Sequence, residues 1–70
     1  MSALPICEDL LLTLDAGVLY VTLNRPDSRN AMSLKMVHEL RAVFAHLHTQ
    51  PQLRALVLRG AGGHFCAGGD

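Results

Sequence analysis

The spacing of the hydrophobic residues changes period twice along this chain, and those changes limit what it can fold into. Leu10, Leu12 and Leu14 alternate with Leu11 and Thr13, Asp15-Ala16-Gly17 interrupts, and residues 18–23 resume a β-branched and aromatic run. This pattern predicts two strands joined by a tight turn, with Gly17 supplying the positive φ that the turn needs. Leu19, Val21 and Leu23 share one face of the second strand and Val18, Tyr20 and Thr22 the other. The face with the larger aliphatics is expected to be buried. From Ser33 the period becomes helical. Met36, Val37, Leu40, Val43, Phe44 and Leu47 form one apolar stripe over 34–49, with Ser33 as N-cap and Pro51 marking the stop. Met36 stands where a capping box would place Glu or Gln, so only the simpler single cap is expected. Residues 53–59 are a short apolar run ending at Arg59 and Gly60, which suits a buried strand.

The expected fold class is therefore α/β, in the order strand, strand, helix, strand. A strand, a crossover helix and a second strand form a βαβ unit, and a parallel pair needs cover on both faces. One helix covers only one face, so the 70 residues read as an incomplete part of a larger single domain. Between strand and helix, Asn24-Arg25-Pro26-Asp27-Ser28-Arg29-Asn30 collects turn formers and charges, and Pro26 removes a ladder donor. This segment is expected to cross exposed surface. The sequence carries no internal repeat, low-complexity tract or linker.

Composition narrows the functional classes. A hydrophobic fraction of 50% and a charged fraction of 17% describe a chain that folds around a core. Six basic and six acidic residues cancel, leaving no electrostatic footprint for nucleic acid or an anionic membrane. No apolar run approaches the roughly 18 residues of a membrane span, and the uncharged start followed by Glu8 and Asp9 fits neither a secretory signal nor an Arg-rich transit peptide. Cys7 and Cys66 stand near opposite ends and are expected to be reduced thiols in a cytoplasmic setting.

Five of the chain's six glycines lie in Gly60-Ala61-Gly62-Gly63-His64-Phe65-Cys66-Ala67-Gly68-Gly69-Asp70, directly after the last strand. A dinucleotide fingerprint fails because Phe65 occupies the place of the third glycine. A phosphate-binding P-loop fails because Gly69 and Asp70 follow Gly68 where Lys and Ser or Thr belong. What remains is exposed backbone: either a loop whose glycines permit tight turning, or N–H groups at Gly68 and Gly69 open to a ligand oxygen, as in an oxyanion hole.

Leu23-Asn24-Arg25-Pro26, Arg29-Asn30-Ala31-Met32-Ser33, the amphipathic helix, Ala55-Leu56-Val57-Leu58-Arg59-Gly60 and Phe65-Cys66-Ala67-Gly68-Gly69-Asp70 together resemble the N-terminal part of the crotonase, or enoyl-CoA hydratase/isomerase, superfamily. Each piece is weak alone, but their order and spacing are specific, and they cover nearly the whole chain. The resemblance implies a ββα spiral in a longer protein that forms trimers or dimers of trimers. It implies an acyl-CoA substrate, with coenzyme A arriving as part of that substrate and no permanently bound cofactor or metal. Two backbone N–H groups would hold the thioester oxygen as it gains enolate character. Gly69 aligns with the first donor, and the second lies beyond Asp70. Ser28, Arg29, Ala31, Ala67, Gly68, Gly69 and Asp70 align with positions lining the site for substrate and coenzyme A. The Cys-Ala-Gly-Gly-Asp form is similar to members acting on branched or glutaconyl-type CoA esters.

The paired glutamates of the hydratases align beyond residue 70, so Glu8 and Glu39 read as solvated carboxylates. Hydratase leads, while isomerase, hydrolase and decarboxylase stay open, as does a non-catalytic CoA-binding or assembly subunit of the same fold. A free-standing 70-residue binding protein is a third reading, with a marginal core at this size. Cys66 reads as a small thiol packed under the glycine turn; the alternative, a nucleophile, needs a neighbouring base such as His64. His38, His46 and His48 lack the i, i+4 pair that a helical metal site needs. Tyr20 and Phe44 are expected in the core.

Overall fold

A computed structural model describes residues 4–69. The elements run β1 (Leu10–Asp15), β2 (Val18–Leu23), a 3-10 turn (Pro26–Ser28), α1 (Leu34–Leu47) and β3 (Ala55–Gly60). β1 and β2 are antiparallel with Leu10 opposite Leu23 and Asp15 opposite Val18. β2 and β3 are parallel with Val18 opposite Ala55 and Leu23 opposite Gly60, so β2 is the central strand of three. The α/β reading and the order of elements hold.

The hairpin closes through Ala16 and Gly17, both at positive φ, 52° and 81°. Two central residues of positive φ match the twist of the flanking strands, which is why two-residue hairpin loops take this form. The sequence pointed to Gly17; Ala16 sharing the left-handed region did not show. Helix α1 starts where Ser33, extended at ψ 163°, accepts the Met36 N–H on Oγ at 3.0 Å. The helix ends at Leu47, two residues before the expected limit, because the Thr49 and Gln50 amides turn back to the His46 and Leu47 carbonyls. The third strand runs 55–60 where the apolar run suggested 53–59. Leu53 instead donates its amide to Gln50 and the Arg54 amide goes to Gly17, tying the helix exit to the hairpin tip.

The core lies between α1 and one face of the sheet. Leu10, Leu19, Val21, Leu23, Met36, Leu40 and Val43 form it, and the alternation of buried Leu19, Val21 and Leu23 along β2 is the expected face. At about 1.5–3 kcal/mol for each large apolar side chain fully withdrawn from water, this cluster is the main favourable term in the fold. Three expectations fail. Phe44 is 44% exposed at the edge of the apolar stripe, because the three-stranded sheet is too narrow to meet both flanks of the helix. Tyr20 is half-buried on the opposite face of the sheet, its ring 5.0 Å from the Arg59 guanidinium, while Arg59 Nε donates to Thr22 at 2.9 Å. β3 is not a buried strand either: Val57 and Leu58 point to opposite faces and both are 38% exposed.

Candidate functional site

Two loops leave the C-terminal ends of the parallel strands β2 and β3, side by side. The first, 24–33, is folded on itself. Pro26 opens a 3-10 turn that closes at Arg29, in the left-handed region with φ 52°, and Asn30 follows at φ 59°. Asn tolerates this region because its short polar side chain bonds nearby backbone. The Asn30 amide donates to the Arg25 carbonyl at 2.8 Å, and the Arg25 amide donates to Asn30 Oδ1 at 2.8 Å. Arg25 Nη1 donates to the Ala31 carbonyl at 2.5 Å, and the Ala31 amide to the Ser28 carbonyl at 3.0 Å.

The second loop, 61–69, continues the parallel pairing for one more bond, the Ala61 amide to the Leu23 carbonyl at 2.9 Å. Gly62 and Gly63 then turn the chain at φ 74° and 85°, and Gly60 lets the 64–65 backbone pass so close that a Cβ would lie 2.1 Å from the His64 oxygen. Two ties bind the loops together. Asn30 Nδ2 donates to the carbonyls of Ala61 at 2.8 Å and His64 at 2.7 Å, and the Met32 amide donates to the Gly68 carbonyl at 2.8 Å.

The second tie decides which way the next amide points. No peptide bond among the described residues is cis. In a trans peptide the C=O and the following N–H point in opposite directions. With the Gly68 carbonyl turned to Met32, the Gly69 N–H is turned away from the 24–33 loop. Gly69 is exposed, and no heavy atom beyond its chain neighbours lies within 4 Å of where its Cβ would sit. Gly68, at φ 99°, makes the bend that presents this peptide, and its own amide donates to Cys66 Sγ at 3.4 Å. Cys66 is a free, half-buried thiol packed against the core, and Cys7 is free as well. The bond to Met32 thus sets the direction of the Gly69 N–H, at an exposed residue that has no side chain of its own.

Of the residues the sequence nominated, the structure joins Ser28, Arg29 and Ala31 in one loop and Ala67, Gly68 and Gly69 in the other, with the Met32–Gly69 bridge between them. Ala31 is buried, whereas Ser28, Arg29 and Ala67 are exposed at the rim. Asp70 lies outside the described residues. Asn30, fully buried, and Met32, which acts through its backbone, are the working parts that sequence reasoning passed over. An Asn flanked by turn formers was the available signal, but nothing local says that its carboxamide reaches a loop more than thirty residues away.

Glu39 corrects an expectation. It is not a solvated carboxylate: it accepts the amides of Glu8 at 2.7 Å and Asp9 at 2.9 Å, anchoring the segment before β1 to the helix. Ser33 Oγ donates to Asp9 at 2.6 Å in the same anchor, and exposed Glu8 pairs with Lys35 at 2.9 Å. The hydrogen bond to Glu8, then its charge, hold the Lys35 ammonium above its ordinary pKa. Burial first, and the Glu39 charge second, push the Cys7 thiol up. An apolar groove of about 480 Å³ beside this anchor, lined by Ile6, Cys7, Leu34 and His38 among others, contains none of the nominated residues. Among the described residues no helix is long and apolar enough to cross a membrane.

The 24–33 and 61–69 loops thus meet beside the C-terminal ends of β2 and β3, bridged at Met32 and Gly69. The family model described as "Enoyl-CoA hydratase/isomerase" matches residues 13–70, and the chain belongs to that family. It is 40% identical over 62 residues to enoyl-CoA hydratase EchA19 of Mycobacterium tuberculosis, covering 89% of this chain and 23% of that protein. Among solved structures it is similar to Pseudomonas aeruginosa AtuE, at 68% identity and TM-score 0.87 over 90% of this chain and 24% of that one. An enoyl-CoA hydratase/isomerase from Marinobacter aquaeolei gives 58% identity and TM-score 0.88 over 91% of this chain and 24% of that one. The chain thus spans about a quarter of the length of the relatives it matches. The fold is the N-terminal part of the crotonase fold.

Proposed function

We propose that this chain is the N-terminal portion of an enoyl-CoA hydratase and that the Gly69 N–H is one of two backbone donors holding the thioester oxygen of an acyl-CoA. One observation carries the reading: the Gly68 carbonyl is engaged by Met32, so the trans peptide directs the exposed Gly69's N–H away from the 24–33 loop. Addition of water to an α,β-unsaturated thioester moves negative charge onto the carbonyl oxygen. A fixed donor at that oxygen strengthens as the charge grows, and removal of such donors in other enzymes costs about 10²- to 10³-fold in turnover. The donor belongs to a bridged peptide and is preset rather than gathered when substrate arrives.

In this reading Ser28, Arg29, Ala31, Ala67, Gly68, Gly69 and Asp70 line the site for the thioester and coenzyme A. Coenzyme A enters and leaves with the substrate, so no resident cofactor is needed. The Cys-Ala-Gly-Gly-Asp sequence supports a branched or glutaconyl-type acyl group, of the kind an isohexenylglutaconyl-CoA hydratase takes. The second donor and the acid and base are assigned to the remainder of the family domain, and a cytoplasmic trimer or dimer of trimers completes the proposal.

The test is turnover of crotonyl-CoA, used as probe, by the intact protein and two variants. Gly69→Ala keeps the N–H and meets no atom within 4 Å, whereas Gly69→Pro deletes the donor. The expected result is near-native turnover for Gly69→Ala and a loss of about 10²-fold or more for Gly69→Pro. Equal, near-native turnover in both would remove the donor role, and no turnover in the wild type would favour a non-catalytic CoA-binding subunit.

A further inference from the structure

We infer that Asn30 is a positioning residue for the Gly69 amide, an inference that rests on the reading of that amide as the thioester-oxygen donor. Asn30 has none of its surface exposed, and its carboxamide is committed on both sides. Oδ1 accepts from the Arg25 amide at 2.8 Å, and Nδ2 donates to the Ala61 and His64 carbonyls at 2.8 and 2.7 Å. The neighbours fix its orientation, because two carbonyls require the donor end and an N–H requires the acceptor. The side chain therefore ties the 24–33 loop to the turn at 61–64. Met32, two residues further on, ties the same loop to Gly68.

That turn is held by its neighbours: the Ala61 amide bonds the Leu23 carbonyl at 2.9 Å, and a Cβ on Gly62 would lie 2.7 Å from Pro26 Cβ. Gly62 and Gly63 both sit at positive φ, and a Cβ on Gly63 would meet no atom within 4 Å. A glycine tract of this kind has many accessible conformations, so its shape must be imposed from outside. Asn30 supplies the two bonds that span the turn, to the Ala61 and His64 carbonyls, ahead of the stretch Phe65, Cys66, Ala67, Gly68 and Gly69. A misplacement of about 1 Å at a reacting centre costs on the order of 10²-fold. Loss of the tie should therefore lower kcat and leave KM nearly unchanged, the signature of an interaction made in the transition state.

Two variants of the intact protein separate positioning from bulk stability. Asn30→Asp keeps the shape, the tolerance of positive φ and the acceptor for Arg25, but turns an oxygen toward two carbonyls. Asn30→Gly keeps the backbone conformation and deletes the tie. Amide exchange comes first, on the wild type: the Asn30 Nδ2 and Met32 N–H protons should exchange at least about 100-fold more slowly than in free peptides. Free-peptide rates would overturn the inference whether or not either variant folds. In whichever variant folds, Met32 exchange should quicken at least about tenfold, and kcat for crotonyl-CoA should fall about 10- to 100-fold with KM within about threefold. Unchanged Met32 exchange, unchanged kcat, or a loss confined to KM would each overturn it. Asn30→Asp should recover part of its kcat as the pH falls, because a protonated Asp donates to one of the carbonyls; a pH profile parallel to the wild type would count against the tie. Gly69→Pro is run beside them. If it retains full turnover, the donor reading fails, while the exchange data still judge the tie.

Discussion

Gly60 and Gly69 stand in one glycine-rich tract but differ in what surrounds them. A Cβ at Gly60 would lie 2.1 Å from the His64 oxygen and 2.6 Å from the Phe65 oxygen, both backbone atoms that cannot swing aside. Gly60→Ala should cost about 1–3 kcal/mol or more, as overpacking does, in the denaturant midpoint of the intact protein. Gly69→Ala meets empty space and should leave the midpoint unchanged. The exposed backbone at Gly68 and Gly69 was legible in the sequence; the close passage at Gly60 was not, because it depends on how the chain turns back through His64 and Phe65. Ala16, at φ 52°, carries the ordinary cost of an L-residue in the left-handed region. Ala16→Asn, suited to this hairpin turn, should raise stability by up to about 1 kcal/mol. Cys7, whose thiol burial and Glu39 hold above its usual range, should be alkylated by iodoacetamide at pH 8 more slowly than an unstructured cysteine peptide. Equal rates would show that the segment before β1 does not shield it.

At the scale of elements, the two changes of hydrophobic period were enough to place both strands of the hairpin and the start of the helix. Ser33 is the clearest case: a cap legible in sequence, with its oxygen accepting the Met36 amide, also donates to Asp9. Ser33→Ala should therefore cost more than a simple cap, about 2 kcal/mol in the intact protein, against about 1 kcal/mol for a cap alone. A loss of about 1 kcal/mol or less would mean that the Asp9 contact contributes nothing. The failures at this scale share a physical cause. Periodicity identifies the face a residue points to but not whether another element covers it, so Phe44 and β3 were assigned to a core that is narrower than their apolar surface. Glu39 looked like a solvated polar-face residue because its partners are backbone amides of a distant segment, which carry no sequence signal.

The whole chain leaves apolar surface on both sides of the sheet. Leu11 is 51% exposed and Val57 and Leu58 are each 38% exposed, and a parallel pair ordinarily needs cover on both faces. The sequence foretold this from the count of one helix, and the relatives it matches are about four times longer. Expressed alone, the 70 residues should aggregate or remain molten, without a cooperative thermal transition by near-ultraviolet circular dichroism; a sharp two-state melt of a soluble monomer would contradict that. The same architecture brings the ends of β2 and β3 together and aims one amide outward, and a role for that amide in polarising a thioester is most directly read from the thioester itself. The measurement is the carbonyl stretch of a ¹³C-labelled crotonyl-CoA bound to the intact protein, by difference infrared spectroscopy. The account predicts a shift to lower frequency in the wild type and in Gly69→Ala, reduced in Gly69→Pro; a bound carbonyl that absorbs at its aqueous frequency in all three would contradict it.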